Sequence, residues 1–200
     1  MSLLSFRIAL LLVALSVTAC VSREVRNDGA WLADREALFS EHPYWSASGR
    51  LALSDGDRGG SLSFQWQARG ASHLITLRTL VGGRQWRLEF DERSAVLEGS
   101  DVGRLTGWSP DPLVEAAVGW PIPVRDLTWW VRGLVPPERS RNIRYAQDGT
   151  LASAESPPWS LAFERYVEYE NTVFPGRLEA TSGTNRVRIV LRNWQLGVQP

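Results

Sequence analysis

The sequence contains little of the chemistry on which most catalytic and metal sites depend. Its 200 residues include one cysteine, Cys20, and two histidines, His42 and His73. A single cysteine excludes a disulfide framework within the chain and any zinc site built from several cysteines. Lysine is absent, and 22 arginines balance 22 acidic residues, so the formal net charge is zero. A balanced charge argues against a nucleic-acid-binding protein, which usually has a basic excess.

Apolar and aromatic side chains dominate the composition instead. Hydrophobic residues make up 44% of the chain, and ten of the aromatic residues are tryptophan. This hydrophobic content is too high, and the net charge too low, for a disordered chain. A length of 200 residues suits one domain of ordinary size. So many flat apolar rings require a large surface to cover them.

The N-terminal residues 1–19 have the composition of an export signal. Arg7 precedes an unbroken apolar run over residues 8–15, and small residues follow up to Ala19. The run is shorter than the roughly 20 residues that a membrane-spanning helix needs. A plain secretory signal or a short anchor also fits this composition. However, Val17-Thr18-Ala19-Cys20 resembles a bacterial lipobox, in which cleavage leaves Cys20 at the new N-terminus to be lipidated.

A lipidated Cys20 determines the expected location of the protein. Lipoproteins that this segment resembles carry three acyl chains on the cysteine, and stable anchoring takes more than one chain. Residue 21 is Val21 rather than the aspartate usually associated with retention in the inner membrane. The resemblance therefore implies an outer-membrane protein that faces the periplasm. Residues 1–19 are the expected signal peptide, residues 20–29 a lipidated tether, and residues 30–200 a single domain.

Three segments have the apolar period or the terminal signals of a helix. Residues 30–40 place apolar side chains at helical spacing. Ser109 and Pro110 predict a capped start for a second helix, which ends near Gly119. A third helix is predicted over residues 124–132.

Most of the remaining sequence alternates with a period of two. Residues 61–67, 85–91, 159–164 and 186–192 each turn apolar side chains to one side and polar side chains to the other. Such alternation indicates strands with one buried and one solvated face. Turns rich in Gly and Asp predict hairpins between the strands. The expected fold class is α+β, with one antiparallel sheet and three helices.

A large antiparallel sheet curls, because the twist of its strands accumulates. Bulky apolar side chains on the concave face of such a sheet permit two kinds of interior. In the first, the helices pack on the sheet and form a solid core, as in most α+β domains. In the second, an incomplete barrel encloses an apolar cavity for a lipid. Periodicity does not distinguish a filled interior from a hollow one.

Four sequence blocks resemble the LolB family, the outer-membrane lipoprotein receptors of Gram-negative bacteria. They are residues 48–52 (SGRLA), 64–67 (FQWQ), 119–124 (GWPIPV) followed by Leu127, Trp130 and Gly133-Leu134, and 188–194 (RIVLRNW). The proline-containing block ahead of a tryptophan-containing helix is the most specific of them. The resemblance extends from about Trp31 to Trp194, nearly the whole expected mature chain.

This resemblance implies both a fold and a function. The fold is a strongly curved antiparallel sheet that forms an unclosed β-barrel, with a three-helix lid over an apolar cavity. The function is to accept acylated lipoproteins from a periplasmic carrier similar to LolA and to insert them into the outer membrane. The expected partners are that carrier, the lipoprotein cargo and the lipid of the outer membrane. The protein is expected to be a monomer that binds no nucleic acid, cofactor or metal.

The strands and helices with the clearest patterns supply the residues expected to line the cavity. These are Leu62, Phe64, Trp66, Trp86, Leu88, Phe90, Leu127, Trp130, Val131, Trp159, Leu161, Phe163, Val187, Ile189 and Leu191. A protruding turn of the family falls on residues 79–82, where Leu80 and Val81 replace the family's proline and leucine. These two residues are expected to probe the membrane, and an ordinary hairpin tip is the alternative interpretation.

Two other classes of protein are weighed against the receptor. An enzyme is disfavoured, because the sequence has no recognisable Ser–His–acid arrangement or metal cluster and lipidation consumes its one cysteine. A lipid-binding or structural outer-membrane lipoprotein with a similar open barrel has the same sequence features. Uptake of lipoprotein cargo distinguishes that alternative from a receptor.

Overall fold

A computed structural model describes residues 30–197 of the chain. The predicted signal peptide, Cys20 and the predicted tether lie outside these residues. The described part contains three helices, which are α1 (Ala30–Glu41), α2 (Pro110–Val118) and α3 (Val124–Trp130). None of these helices is long and apolar enough to cross a membrane.

Within the described residues, eleven strands form a single antiparallel sheet. They are β1 (Tyr44–Ser54), β2 (Gly59–Arg69), β3 (Ser72–Thr79), β4 (Gln85–Phe90), β5 (Ala95–Gly99), β6 (Gly103–Gly107), β7 (Arg141–Tyr145), β8 (Leu151–Ser156), β9 (Trp159–Tyr169), β10 (Thr172–Ser182) and β11 (Asn185–Leu196). Strands that follow one another pair from β1 to β6 and from β7 to β11, and β1 pairs with β11. Strands β6 and β7 are therefore two open edges, and the predicted α+β fold with an unclosed barrel is confirmed.

Burial alternates along the strands as the sequence predicts. In β4, Trp86, Leu88 and Phe90 are buried, whereas the side chains between them are exposed. The strand register places Trp66 opposite Ile75, and Ile75 opposite Leu88. Rows of apolar side chains therefore cross neighbouring strands on the same face of the sheet, where they stabilise the pairing of the strands.

The helices cover this apolar face in two places. Helix α1 packs over the β10–β11 region, where the Phe39 ring lies 6.5 Å from the rings of Phe174 and Trp194. Trp31 at the start of α1 donates its Nε1–H to the carbonyl oxygen of Gly133 at 2.8 Å. Helices α2 and α3 cover the part of the face that is formed by β1–β4 and β11.

The ends of helix α2 agree with the sequence prediction, apart from the cap. Pro110 is its first residue, and Gly119 ends it in the left-handed conformation, with φ of 82°. Ser109 occupies the capping position, but its side chain makes no capping hydrogen bond. The Ser109 hydroxyl instead accepts a hydrogen bond from Nε of Arg125 at 3.3 Å. The side chain of Ser109, predicted to cap α2, thus connects the start of α2 to α3.

Helix α3 ends at Trp130, two residues before the predicted end. The N–H groups of Arg132 and Gly133 donate to carbonyl oxygens three residues back rather than four. This tighter turn ends the α-helix before Gly133 reverses the chain in the left-handed conformation, with φ of 77°.

Gly49 of β1 occupies a position that has no space for a side chain. A Cβ atom there would lie 2.1 Å from the carbonyl oxygen of Val190 and 2.8 Å from the ring of Phe64. We expect Gly49→Ala to lower the free energy of unfolding by about 1–3 kcal/mol, because the backbone or the ring must move. Urea unfolding followed by tryptophan fluorescence measures this change. Gly59→Ala is the control, since its Cβ would make an ordinary 3.5 Å contact with the Leu53 carbonyl oxygen. An equal loss in both variants would contradict the prediction.

Candidate functional site

An apolar pocket lies between the buried face of the sheet and helices α2 and α3. Its lining comes from β1–β4, β11, both helices and the residues that follow each helix. The lining residues are Leu51, Phe64, Trp66, Ile75, Leu77, Leu88, Val114, Ile122, Val124, Leu127, Val131 and Ile189. Every one of them is buried. The pocket therefore offers one kind of interaction, which is the burial of apolar groups.

The residues predicted to line a cavity divide into two sets. Phe64, Trp66, Leu88, Leu127, Val131 and Ile189 line the pocket. The others are buried in the hydrophobic core outside the pocket lining, and they are Leu62, Trp86, Phe90, Trp130, Trp159, Leu161, Phe163, Val187 and Leu191. Trp130 and Trp159, for example, pack against each other with ring centroids 6.2 Å apart. Alternation identifies the buried face and does not locate the pocket on that face.

Six pocket residues were missing from the predicted set. They are Leu51, Ile75, Leu77, Val114, Ile122 and Val124. A signal for three of them was present in the sequence, because Leu51 alternates with Leu53 and Ile75 alternates with Leu77 in their strands. Ile122 and Val124 belong to the proline-containing block of residues 119–124, so this block places two apolar side chains in the pocket.

Side chains fill the pocket almost completely. Its volume is about 30 Å³, which is room for about one water molecule. Pockets that bind small molecules usually measure roughly 300–1,000 Å³. An acyl chain can therefore enter only when α2 and α3, or the side chains beneath them, move away from the sheet.

Arg125, the second residue of α3, connects the two helices to the end of the sheet. Its guanidinium donates hydrogen bonds to the carbonyl oxygens of Trp108 at 2.6 Å and Asp91 at 3.3 Å, in addition to the Ser109 hydroxyl. Its backbone N–H donates to the Asp111 carboxylate at 3.0 Å. Burial raises the pKa of Asp111, and the hydrogen bond from Arg125 opposes this increase. One side chain thus holds α3 against both the start of α2 and the β4–β5 turn.

A polar cleft of about 480 Å³ opens beside the pocket, between α3, the β2–β3 turn and the end of β4. His73 lines the cleft, and its Nδ1 accepts a hydrogen bond from Nε1 of the pocket residue Trp66 at 3.2 Å. Burial, assisted by the positive charge of Arg132, lowers the pKa of His73 to about 4. Burial also lowers the pKa of Arg132 to about 10. The wall between cleft and pocket therefore contains a neutral imidazole at neutral pH.

Ionisable groups around the cleft form ion pairs or donate hydrogen bonds to backbone carbonyls, as Arg132 does to the carbonyl oxygen of Thr128 at 2.6 Å. Asp126 of α3 pairs with Arg139, for example. The described residues contain no group of three His, Cys, Asp or Glu side chains placed to hold a metal ion. What this part of the chain offers chemically is an apolar interior beside a polar, hydrogen-bonded cleft.

Large apolar side chains are exposed at two ends of the sheet. Val81 and Leu80, at the β3–β4 turn, are 87% and 50% exposed. Trp108, between β6 and α2, is 85% exposed. The register of β3, β4, β5 and β6 places Trp108 at the end opposite to Leu80 and Val81. The sequence analysis did not single out Trp108, because it lies in a turn where no periodic pattern applies.

Comparison of the sequence with known proteins shows to which family the chain belongs. The family model described as "Outer membrane lipoprotein LolB" matches residues 43–194. The match includes the whole pocket lining and all four sequence blocks that resemble the family. The chain belongs to the LolB family. The proline-containing block and the pocket are therefore features of a LolB domain.

Curated LolB proteins match nearly the whole chain. "Outer-membrane lipoprotein LolB" of Pseudomonas syringae is 29% identical over 188 residues, which cover 94% of this chain and 92% of that protein. The protein of the same name in Alkalilimnicola ehrlichii is 30% identical and covers 92% of this chain and 94% of its own length. The similarity thus extends beyond the part of the chain that the structure describes.

Two solved structures share the fold of this LolB domain at low sequence identity. A LolA superfamily protein from Nitrosomonas europaea has a TM-score of 0.57 and 9% identity, and the match covers 86% of this chain and 94% of that chain. A DUF1329 family protein from Desulfovibrio piger has a TM-score of 0.50 and 7% identity over 87% and 93% of the two chains. At these identities the likeness concerns the fold alone, and it supports an unclosed barrel of the LolA type.

Replacement of Arg125 tests whether this residue keeps the helices closed. We expect Arg125→Gln to lower the free energy of unfolding by about 1–3 kcal/mol, because three acceptors, two of them in partly buried hydrogen bonds, lose a charged donor. We also expect a fluorescent apolar dye to enter the pocket faster, which stopped-flow measurements detect. Arg144→Gln, an exposed substitution in β7, is the control. Equal dye-binding rates in wild type and Arg125→Gln would show that Arg125 does not restrain the helices.

The pKa of His73 predicts a dependence of stability on pH. It is about 4 in the folded protein and 6.5 for an ordinary histidine, so the unfolded chain takes up this proton first as the pH falls. The free energy of unfolding should therefore decrease between about pH 6.5 and pH 4, by up to about 3 kcal/mol from this group. Urea unfolding across this range should show a weaker pH dependence in His73→Gln. His42→Gln is the control, and a full wild-type pH dependence in His73→Gln would contradict the prediction.

Proposed function

We propose that this LolB-family protein is an outer-membrane-anchored receptor, which accepts acylated lipoproteins from a periplasmic carrier and inserts them into the outer membrane. Membership of the family supports this function, as do curated relatives named outer-membrane lipoproteins. The observation that carries the proposal is an apolar pocket closed by two short helices. A pocket of this kind takes up an apolar chain when the helices move.

The energetics of acyl chains explain why the pocket must be apolar and covered. A triacylated cysteine has on the order of 40 methylene groups, and exposing each to water costs about 0.8 kcal/mol. Full exposure would cost tens of kcal/mol, so the chains must pass directly from one apolar environment to another. The pocket of the receptor provides the second environment, and the acyl chains occupy it in place of the inward-packed side chains.

The direction of transfer needs only a small difference in affinity. A tenfold to hundredfold preference for the receptor over the carrier corresponds to about 1–3 kcal/mol. Uptake in this proposal involves the burial of apolar surface and no covalent step. Hydrolysis of acyl esters during transfer would contradict this part of the proposal.

The proposed anchor is Cys20, which lies outside the described residues. Signal-peptide cleavage before Cys20 and its acylation would leave a chain of residues 20–200 on a lipid tether. Residues 20–29 connect the anchor to α1, the first described helix. The anchor keeps the receptor at the membrane that receives the cargo, and Leu80 and Val81 are the proposed site of contact with that membrane.

A transfer assay tests the proposed function. A periplasmic carrier loaded with an acylated lipoprotein is mixed with the chain from residue 20 onward that carries Cys20→Ala. All described helices and strands lie within residues 30–197, so this chain retains every one of them. We expect the cargo to leave the carrier and copurify with the receptor. Binding of phospholipid without uptake of lipoprotein would favour a lipid-binding protein, and binding of neither would favour a structural lipoprotein.

Introducing charged residues at the β3–β4 turn tests whether cargo uptake and membrane insertion depend on different parts of the protein. We expect Leu80→Glu with Val81→Glu to accept cargo from the carrier as the wild type does, because the turn lies outside the pocket lining. Delivery of the cargo to vesicles should fall about tenfold or more, since two buried apolar contacts with lipid are replaced by charges. Cargo flotation with vesicles measures delivery.

The control for this turn adds the same charge elsewhere on the surface. Ala37 and Ser40 are exposed on α1, and Ala37→Glu with Ser40→Glu should leave both steps unchanged. Equal loss of uptake and delivery in the Leu80 and Val81 variant would indicate a folding defect and would contradict a role confined to membrane contact.

A further inference from the structure

A groove of about 280 Å³ crosses the outer face of the sheet, on β1, β2, β3 and β11. The charged residues in its lining are Arg50, Arg78 and Arg192, and all three are exposed. Small polar side chains, including Ser63 and Thr76, form the surface between them. The groove thus combines three guanidinium groups with a floor that leaves space for a polar ligand.

These three arginines lack the acidic partners that neighbouring arginines have. Arg87 on the adjoining β4 and Arg188 on β11 form ion pairs with Glu89 at 2.8 Å and Glu179 at 2.6 Å. Within residues 30–197, no carboxylate lies within ion-pair distance of the three groove arginines, and no carboxylate lines the groove. The protein is neutral overall, so this is a local excess of positive charge.

The strand register places the charge next to the exposed apolar turn. Arg50 lies opposite Ser63, and Ser63 lies opposite Arg78, which puts the two arginines in one row across three strands. Arg78 precedes Leu80 by two residues, a distance of roughly 7 Å in an extended chain. A bilayer touched by Leu80 and Val81 would therefore lie within about one Debye length of Arg78 at physiological ionic strength.

We propose that this arginine groove binds the headgroup phosphates of anionic phospholipids while the Leu80–Val81 turn enters the bilayer. A guanidinium matches phosphate oxygens with two parallel hydrogen bonds, and its charge attracts an anionic surface. The apolar turn provides insertion, and the arginine groove provides orientation relative to the membrane plane. This inference rests on the proposed function in one respect, which is that the turn faces the membrane.

Vesicle binding tests the arginine groove directly. The chain from residue 20 onward with Cys20→Ala is floated with vesicles of phosphatidylcholine alone or mixed with phosphatidylglycerol, at low and high salt. We expect stronger binding to the anionic vesicles, which high salt removes. Arg50→Gln, Arg78→Gln and Arg192→Gln together should weaken that binding roughly tenfold or more, because three charges near the surface are lost. Binding to phosphatidylcholine alone should not change.

A matched variant separates the groove from overall charge. Arg93→Gln, Arg144→Gln and Arg165→Gln remove the same charge from exposed positions outside the groove, and they should leave vesicle binding within about twofold of wild type. An equal loss in the two triple variants would overturn the proposal, since net charge would then explain the binding. Equal binding of wild type to neutral and anionic vesicles would overturn it too.

Two further measurements exclude other occupants of the groove. Competition by inorganic phosphate at low concentration would indicate a site for a small free anion and would overturn the lipid assignment. Normal vesicle binding by the groove variant, with loss of cargo uptake from the carrier, would indicate an acidic protein surface instead. The transfer assay also distinguishes failure of the groove proposal from failure of the proposed receptor function. A groove variant that still accepts cargo leaves the receptor function intact.

Discussion

The structure depends on a sheet that is apolar on one face only. Eleven strands turn Trp, Phe and branched aliphatic side chains to the same side, and a surface of this size must be kept from water. Curling covers part of the face, α1 covers another part, and the pocket region is left to α2 and α3. These two helices have nine and seven residues, and helices so short are marginal without tertiary contacts. Their position therefore depends on the apolar contacts beneath them and on the hydrogen bonds of Arg125.

The fold could be predicted from the sequence to a larger extent than the site. The alternation around Trp66 and Leu88 is a local property of each strand, and so is the start of α2 at Pro110. The volume of the pocket is different, because it depends on how far side chains from separate elements interpenetrate. The role of Arg125 in connecting the helices was not predictable, since two of its three side-chain acceptors are backbone carbonyls, 17 and 34 residues away in sequence. A carbonyl oxygen is present at every residue, so its use as an acceptor leaves no mark on the sequence.

The inner and outer faces of the sheet have different chemical properties, and a lipid-binding protein needs both. In the proposed function, the inner face shields acyl chains from water, and charged residues there would raise the cost of binding them. The outer face is free to carry charge, and several of its arginines are neutralised by ion pairs, such as that of Arg188 with Glu179. The three arginines of the groove have no such partner among the described residues, and the groove lies beside an exposed apolar turn. Alternation along a strand allows both properties at adjacent residues, because successive side chains point to opposite faces.

A pocket that closes on itself suits a receptor that must also release its cargo. In the proposed function, the side chains of Phe64, Leu127 and Ile189 occupy the space that acyl chains would take, so they would compete with the cargo for it. The apparent affinity is then reduced by the fraction of molecules that are open. A permanently open cavity would bind acyl chains more tightly and would retain them against the membrane. The filled interior therefore agrees with the proposed transport, because closure would help to expel the chains once a bilayer offers another apolar environment.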